Sequence, residues 1–387
     1  MARFLHTADW QLGRRPIFLS DEARARFSAA RVDVIGRIGE LAAQQHCDFV
    51  VVCGDVFESN SIDRQILLRA LEQMGSIGGL RFYLLPGNHD PLDASSIFES
   101  PRFRDHCPDN VTVLDGATPL EAADGIELIA APWPNKRPRS DLVADACGRL
   151  GPSDALRVVA GHGAVDAMWP ESRGPELISL QGVEAALDAG LVHYVALGDR
   201  HSTTSVGETG RVWYSGAPEP TDFDEVDPGN VLVVDLDGEQ PRVEPHRVGT
   251  WSFAQRGMQL AGHADIDALD DWLGQFAAKS LTIVRLNLAG QLSVSQKARL
   301  DATLADHGEI LATLDVHEPG SEFVVIPDEL DIRDFGLSGY AAEALSDLVD
   351  AARSGDEQAT DARDALTLLY RLVHAGGSDG GALEVRR

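Results

Sequence analysis

The sequence has no long uninterrupted apolar run. A helix that spans a bilayer needs about 20 consecutive, mainly apolar residues, and no stretch of these 387 residues approaches that length. The first residues, Met1–His6, lack the apolar core of a secretory signal peptide and lead directly into polar residues. We therefore expect a cytoplasmic protein that makes no membrane contact.

Cysteine is also scarce. The four cysteines are Cys47, Cys53, Cys107 and Cys147, and no pair shows Cys-X-X-Cys spacing. The lack of such spacing argues against a thiolate metal site, and the small number of cysteines argues against a disulfide framework. Reduced, structural thiols are expected.

Lysine is the scarcest charged residue, with only Lys136, Lys279 and Lys297. Acidic residues outnumber basic residues 61 to 33, which gives a net charge of −28. Proteins that bind a phosphate backbone usually carry basic patches, so charge alone does not predict a nucleic-acid partner. Two local basic runs are exceptions, Arg14-Arg15 and Asn135–Arg139. They are either phosphate contacts or solvated surface loops.

The apolar pattern predicts an α/β fold. In the first hundred residues, short apolar runs alternate with stretches at helical spacing. The predicted strands are Phe4–Ala8, Asp48–Cys53 and Arg81–Leu85, and the predicted helices are Asp21–Gln45 and Ile62–Met74. This alternation indicates βαβ units and a largely parallel sheet. Later predicted strands are Ile126–Ala131, Arg157–Ala160, Val192–Leu197, Val212–Tyr214 and Val231–Leu236. The later ones lie close together and leave little room for helices between them, which favours a second sheet packed on the first with helices outside.

The pattern changes near residues 247–261, and the segment after this point is predicted to form a smaller unit. A strand is expected at Leu281–Leu288, and helices at Gln296–Asp306 and Gly339–His374. The last segment carries apolar residues at helical spacing, including Leu345, Val349 and Leu366. This stripe either packs within the protein or docks a partner by a helix-in-groove contact.

Five polar clusters follow predicted strands. They are His6–Gly13, Gly54–Ser59, Gly87–Asp90, Gly161–Gly163 and Gly198–His201, with Gly87 lying 33 positions after Gly54. Open α/β sheets place their sites at the carboxyl ends of strands, and carboxylate, amide and imidazole donors suit Mn, Fe, Zn or Mg. A single aspartate after a strand is as often a helix N-cap, and a single histidine is more often structural. Five clusters in this order favour a metal site.

The set of clusters resembles the calcineurin-like metallophosphoesterase superfamily. Similarity to its SbcD-type DNA repair exonuclease branch is carried by His6-Thr7-Ala8-Asp9-Trp10-Gln11-Leu12-Gly13, by Gly54-Asp55-Val56-Phe57-Glu58-Ser59, and by Tyr214–Pro220 followed by Phe223 and Glu225. The resemblance covers about residues 1–250. It implies a four-layer αββα sandwich over residues 1–250, a small α/β cap over 255–330 and C-terminal helices over 335–376. It also implies two divalent metal ions, with Mn²⁺ expected first and Mg²⁺ or Fe²⁺ as alternatives.

The resemblance implies a set of metal ligands: Asp9, Gln11, Asp55, Asn88, His162, Asp199 and His201. Asp55 would bridge the two ions. Gln11 and Asp199 stand where the family normally has histidine. Both can bind a metal through oxygen, but an amide is a weak neutral ligand and a carboxylate favours a harder ion. We therefore expect unequal affinities for the two ions.

The resemblance also implies the catalytic residues. His89, oriented by Asp90, would lie near the scissile phosphate and assist the departing oxygen. Arg14, Arg15 and Arg200 are the candidate substrate contacts.

The resemblance implies a metal-dependent DNA nuclease, acting as an exonuclease or also as an endonuclease in DNA repair. Its partners would be DNA, an SbcC-like ATPase docked on the C-terminal helices, and a second copy of the chain. Two alternatives stay open. The chemistry at phosphorus is shared with enzymes that act on small phosphodiesters or phosphomonoesters, and the acidic charge fits such a substrate. Gln11 and Asp199 also permit a degenerate, non-catalytic scaffold.

Overall fold

The chain folds into two compact units, Met1–Ser252 (unit 1) and Phe253–Arg387 (unit 2). The computed structural model describes residues 2–317 apart from Ala117, Pro170, Ser172, Arg173 and Glu239, and then 323–325, 337–353 and short pieces between 359 and 369. Within these residues, no helix combines the length and the apolar character that a bilayer crossing requires.

Unit 1 alternates strands and helices along the sequence. Its strands are β1 (Ala2–Thr7), β2 (Phe49–Cys53), β3 (Arg81–Leu85), β4 (Val111–Val113), β5 (Leu120–Ala123), β6 (Ile126–Ala130), β7 (Leu156–His162), β8 (Tyr194–Gly198), β9 (Thr204–Val206), β10 (Val212–Tyr214), β11 (Asn230–Leu236) and β12 (Arg242–Arg247). Its helices are α1 (Asp21–Gln44), α2 (Arg64–Ser76), α3 (Pro101–Arg104), α4 (Leu142–Cys147) and α5 (Leu180–Asp188).

The strands of unit 1 form two sheets, ordered β12-β11-β1-β2-β3-β4 and β5-β6-β7-β8-β10-β9. The central strands of each sheet are parallel. On β2, Val50 and Val52 pack with the residues of α1 and α2. The alternate residues Phe49, Val51 and Cys53 pack with the inner face of the second sheet. Helices α4 and α5 cover the outer face of that sheet, so the predicted four-layer αββα sandwich is confirmed.

One predicted strand belongs to a different sheet than the sequence suggested. The sequence pattern places Val231–Leu236 in the second sheet. In the structure this segment forms β11, which pairs antiparallel with β1 of the first sheet, with Val234 opposite Phe4. The physical reason is that β1 pairs with β2 along one edge only. Its other edge carries backbone N–H and C=O groups that need partners, and β11 supplies them.

Unit 2 is a small α/β unit. It contains β13 (Ser252–Leu260), α6 (His263–Gly274), β14 (Thr282–Leu292), α7 (Val294–Gly308), β15 (Thr313–Val316), β16 (Phe323–Val325) and α8 (Tyr340–Arg353). Apolar residues of α6 and α7 pack on β14.

The apolar stripe of the C-terminal segment is core in this structure. Leu345 and Val349 of α8 are each 3% exposed, and they pack with Val294 and Leu366 of the same unit. Of the two alternatives for this stripe, the structure therefore favours internal packing over an exposed docking surface. Part of the predicted helix Gly339–His374 lies outside the described residues.

A buried arginine ties α1 to two loops of unit 1. Arg31 is 1% exposed, and its guanidinium donates hydrogen bonds to the carbonyl oxygens of Trp10 at 3.0 Å, Glu219 at 3.3 Å and Pro220 at 2.7 Å. Burial lowers the pKa of Arg31 to about 10, and the charge of Glu219 opposes this shift. The Glu219 carboxylate also accepts N–H bonds from Thr250 at 3.1 Å and from a second backbone amide. Arg31 thus fixes the first polar cluster relative to the segment after β10.

Replacing Arg31 with methionine tests this role. Arg31→Met leaves three carbonyl oxygens without their donor, and an orphaned buried acceptor costs about 1–3 kcal/mol. We expect the free energy of unfolding to fall by about 3 kcal/mol. The matched control is Arg69→Met, because Arg69 is half exposed and its ion pair with Asp33 is 3.9 Å long; its effect should stay within about 0.5 kcal/mol. Equal losses in denaturant unfolding of the two variants would contradict the proposed role of Arg31.

Candidate metal centre

Three aspartates follow directly on strands and share an unusual backbone conformation. Asp9, Asp55 and Asp199 have φ angles of 54°, 52° and 97°. Positive φ is uncommon for residues other than glycine, although aspartate tolerates it better than most. Two backbone bonds hold the turns: the Asp9 N–H donates to Gly54 O at 3.1 Å, and the Gln11 N–H donates to Asp55 O at 2.9 Å. The first two clusters therefore fold as one unit at the carboxyl edge of the first sheet.

Glycines allow the two sheets to bring their polar ends together. A Cβ atom at Gly54 would lie 2.1 Å from His162 Nδ1, and one at Gly198 would lie 1.9 Å from the carbonyl oxygen of Cys53. A Cβ at Gly87 would lie 2.3 Å from Asp55 Oδ1. A side chain at any of these positions would push the acidic groups and the imidazole apart.

Asp9, Asp55 and His162 form a buried cluster whose ligand atoms lie within 4.8 Å of one another. His162 Nδ1 lies 2.9 Å from the carbonyl oxygen of Cys53. Because a carbonyl only accepts, Nδ1 carries a proton and Nε2 is the atom that faces the site. This is the orientation of a metal-binding histidine whose other ring nitrogen is fixed by a backbone bond.

Three side-chain oxygen atoms surround His162 Nε2. Asn88 Oδ1 is 3.1 Å away, Asp55 Oδ1 is 3.4 Å away and Asp199 Oδ1 is 3.8 Å away. A neutral imidazole would direct its lone pair at these lone pairs, so the arrangement requires a positive charge, either a proton or a metal ion. The donor set of two carboxylates, an imidazole and an amide oxygen fits a divalent ion such as Mn²⁺, Mg²⁺ or Fe²⁺.

The pKa values show the same need for positive charge. Burial raises the pKa of Asp9 to about 7 and also raises the pKa of Asp199. Burial lowers the pKa of His162, but the charges of Asp55, Asp9 and Asp199 outweigh it and raise this pKa to about 9. All three groups therefore hold protons more tightly than usual. A divalent ion among them would compete with those protons and favour the ionised carboxylates and neutral imidazole.

Gln11 and His201 do not join this cluster as the resemblance implied. His201 Nδ1 lies 2.6 Å from Thr221 Oγ1 and 3.0 Å from Glu225 Oε1, while its Nε2 lies 3.1 Å from Gln11 Nε2. Arg14 donates to Gln11 Oε1 at 3.1 Å. Because a guanidinium only donates, the amide oxygen faces Arg14 and the amide N–H faces His201. The lone pair of His201 Nε2 is thus occupied by Gln11.

The expected pair of His89 and Asp90 is not formed. Asp90 is buried, and its carboxylate accepts N–H bonds from Gly87 at 2.7 Å and Phe57 at 2.9 Å. Burial raises its pKa to about 7. His89 Nδ1 instead lies 2.9 Å from the carbonyl oxygen of Glu58. Both carboxylate oxygens of Asp90 accept backbone N–H bonds, so Asp90 stabilises the turn. The carbonyl oxygen of Glu58, and not Asp90, orients His89.

His89 is tied to the cluster by its backbone. Its N–H donates to Asp55 Oδ1 at 2.9 Å, and its Nε2 lies 3.9 Å from Asp55 Oδ2. The side chain is 36% exposed. His89 is thus a partly exposed imidazole beside a buried carboxylate, which is suitable for proton transfer to a bound substrate.

The three candidate substrate contacts lie in two different clefts. Arg14 and Arg200 line one cleft of about 290 Å³ together with Asp199, His201 and Trp169. The guanidinium of Arg200 lies 5.6 Å from the centre of the Trp169 ring.

Arg15 lines a separate cleft with residues of α1 and α2, and it pairs with Asp63 at 3.7 Å. The sequence grouped Arg15 with Arg14 because the two are adjacent, but the turn after the first cluster separates their side chains.

The sequence motifs assign no role to three residues that contact the centre. Thr221 and Glu225 orient His201, and the indole of Trp133 donates to the carbonyl oxygen of His162 at 2.7 Å. Glu225 belongs to the segment after the last cluster that carries the family resemblance, which was a usable signal. Trp133 lies in Pro132-Trp133-Pro134 directly after β6, and only the folded arrangement of the two sheets shows its contact.

Comparison with known proteins agrees with this fold. The calcineurin-like phosphoesterase family matches residues 2–202, which is 201 of the 387 residues. The SbcD component of the nuclease SbcCD of Bacillus subtilis is 29% identical over 133 residues, covering 34% of this chain and 28% of that protein. The protein of the same name from Rhodobacter capsulatus is 27% identical over 289 residues, covering 63% and 69%. The DNA double-strand break repair protein Mre11 of Saccharolobus solfataricus is 23% identical over 172 residues, covering 44% and 43%.

The shared lengths differ among these relatives, since the chain spans 28% of the Bacillus protein and 69% of the Rhodobacter protein. The family match, in contrast, includes Asp9, Asp55, Asn88, His162 and Asp199 in a single continuous region. The chain belongs to the calcineurin-like phosphoesterase family.

Proposed function

We propose that this protein is a metal-dependent DNA nuclease that hydrolyses phosphodiester bonds as an exonuclease or an endonuclease. The observation that carries the proposal is the buried cluster of Asp9, Asp55 and His162, whose ligand atoms lie within 4.8 Å of one another. The relatives named as parts of a nuclease and as a DNA break repair protein support nucleic acid as the substrate. Arg14 and Arg200 in the adjoining cleft support a substrate with phosphate groups.

In this proposal Asp9, Asp55, Asn88, His162 and Asp199 hold a divalent ion, for which Mn²⁺ is the first candidate. Such an ion would supply positive charge to the phosphate and lower the pKa of a bound water to about 7. A second ion would require the Gln11 amide to release His201, because its N–H occupies the lone pair of Nε2. The site therefore supports tight binding of one ion and weaker binding of another.

His89 is the proposed proton donor. With Nδ1 bonded to the Glu58 carbonyl, Nε2 is the ring nitrogen that faces the site. In the protonated form it can donate to the departing oxygen, and such general-acid help contributes about 10²–10⁴-fold. Arg14 and Arg200 would hold the phosphate oxygens, since a guanidinium matches the geometry of an oxyanion.

The partner in the proposal is an SbcC-like ATPase, as the family resemblance implies, and the two SbcD relatives are by name components of a larger nuclease. Because the apolar stripe of α8 is buried, a partner on this helix would meet its exposed face, which carries Glu343, Ser346 and Asp347. The proposal therefore places a polar contact there. The proposal also includes DNA as the substrate and a second copy of the chain as a further partner. It expects a cytoplasmic location.

The proposal is tested with linear DNA labelled at either end, Mn²⁺, and the wild-type protein beside Asp55→Asn. We expect Mn²⁺-dependent cleavage that is lost in the variant, and the label that is retained gives the strand polarity. Hydrolysis of bis(p-nitrophenyl) phosphate without DNA cleavage, by the chain alone and with an ATPase partner, would instead indicate a small-molecule phosphodiesterase. No hydrolysis of either substrate would indicate a non-catalytic scaffold.

Two substitutions should differ in severity. Asp55→Asn removes a charged ligand and keeps an amide oxygen that can still accept the His89 N–H bond. Hydrolysis of bis(p-nitrophenyl) phosphate should therefore fall to background through loss of the charge alone. His89→Ala removes only the proton donor, so its rate should fall about 10²–10⁴-fold and stay measurable. Asp93→Asn, a half-buried acid near the same turn whose Oδ1 accepts the Ser95 N–H at 2.8 Å, is the control, because an amide oxygen can keep that bond; it should leave the rate within about twofold. Similar residual rates for Asp55→Asn and His89→Ala would contradict these roles.

Metal titration tests the unequal sites. We expect calorimetry of the wild-type protein to show one tight and one weak Mn²⁺ site. Gln11→His replaces the amide that occupies His201 with an imidazole, and it should tighten the weak site at least about tenfold, which is a gain of about 1.4 kcal/mol. Gln275→His adds a histidine at an exposed position of unit 2 and should change neither site. Two equally tight sites in the wild-type protein would refute the prediction.

A further inference from the structure

Three exposed cations lie together in residues 135–139, which we call the basic loop. Lys136, Arg137 and Arg139 are all exposed. Among the residues that the structure describes, no acidic side chain forms an ion pair with any of them. The backbone of the loop is ordered by a hydrogen bond from the Arg137 N–H to Asn135 Oδ1 at 2.9 Å. The charges are thus presented to solvent by a structured turn.

The clustering of these three cations is unusual in an acidic protein. The chain has 61 acidic and 33 basic residues, and carboxylates pair with several of the cations. Ion pairs hold, for example, Arg3, Arg24, Arg37, Arg157 and Arg299. Three neighbouring cations without such an ion pair therefore form a local positive patch on a negative background, and such a patch attracts an external polyanion.

The basic loop is anchored at the metal centre. It follows β6, and Trp133 binds both sheets at that point: its indole donates to His162 O at 2.7 Å, and its backbone N–H donates to Pro86 O at 3.1 Å. The rings of Trp133 and His162 also meet edge to face, with centroids 6.1 Å apart. The Leu92 N–H donates to Trp133 O at 2.8 Å. The loop therefore starts between the strand that carries His162 and the turn that carries His89.

The basic loop borders a cleft of about 980 Å³. Lys136, Arg137 and Arg139 line it, with Trp133 beside them and Glu176 as the acidic residue of the lining. Three positive charges against one negative charge leave the lining net positive. A chain of phosphates, which repeats a negative charge at regular steps, fits such a surface better than a single small anion does.

We propose that the basic loop and its cleft bind the phosphodiester backbone of the nucleic-acid strand whose scissile phosphate lies at the metal centre. The proposal rests on the proposed nuclease function and names a binding surface for its substrate. The basic loop contributes affinity and not chemistry, because its cations contact backbone phosphates away from the cleaved bond. Loss of these contacts should weaken binding of DNA and leave the hydrolysis of a small diester unchanged.

The test compares two triple variants that lose the same charge. K136Q/R137Q/R139Q neutralises the basic loop. R81Q/R149Q/R211Q is the control: Arg81 and Arg211 lie at the start of β3 and β10, and Arg149 follows α4, so all three are at the ends of the sheets opposite the metal centre. For each protein, DNA affinity is measured with an end-labelled single strand and its duplex between about 50 and 200 mM salt. Hydrolysis of bis(p-nitrophenyl) phosphate and thermal unfolding are measured in parallel.

We expect the loop variant to bind DNA at least about tenfold more weakly, with a salt slope reduced by about 0.9 for each lost contact with duplex phosphate and about 0.7 for single strands. Its hydrolysis of the small diester should match that of the wild type, which also shows that it is folded. Affinity and slope equal to those of the control variant would overturn the inference while the nuclease function stands. A wild-type protein that hydrolyses the small diester but neither binds nor cleaves DNA would overturn the nuclease function and this inference with it.

Discussion

The rest of the site depends on the close approach of buried acidic groups to His162 at the edge of two sheets. Asp9 and Asp55 are almost fully buried, and His162 Nε2 faces oxygen atoms of Asp55, Asn88 and Asp199. Burying charge of one sign is costly unless a counter-charge is present. A bound positive ion would make the arrangement favourable, because it would offset the cost of burying these carboxylates together.

The surrounding fold makes that approach possible. Positive φ angles at Asp9, Asp55 and Asp199 turn the chain at the strand ends, and the glycines leave room where a Cβ would collide with His162 or with the Cys53 carbonyl. Arg31 and Trp133 hold the two sides in register through bonds to backbone carbonyl oxygens. Such supporting contacts keep ligands in place before the ion arrives, which is what a rigid site requires.

The sequence predicted the parts of the site that local order determines. Asp9, Asp55, His162 and Asp199 each follow or end an apolar run, and parallel strands bring their carboxyl ends to one edge. It could not predict contacts between side chains that only tertiary packing brings together. In the hydrogen bond between Gln11 and His201, the Gln11 amide is oriented by Arg14 and the His201 ring is oriented by Glu225. Likewise, β11 joined the first sheet because the edge of β1 needed a partner, which no pattern within residues 231–236 reveals.

The central claim is that Asp9, Asp55 and His162 hold a divalent ion. The most direct test is a crystal structure of the protein saturated with Mn²⁺, with anomalous scattering recorded at the Mn absorption edge. The account predicts an anomalous peak about 2.1 Å from carboxylate oxygens of Asp9 and Asp55, with His162 Nε2 at a similar distance. A saturated crystal that shows no peak among these three residues, or only peaks elsewhere on the protein, would contradict it.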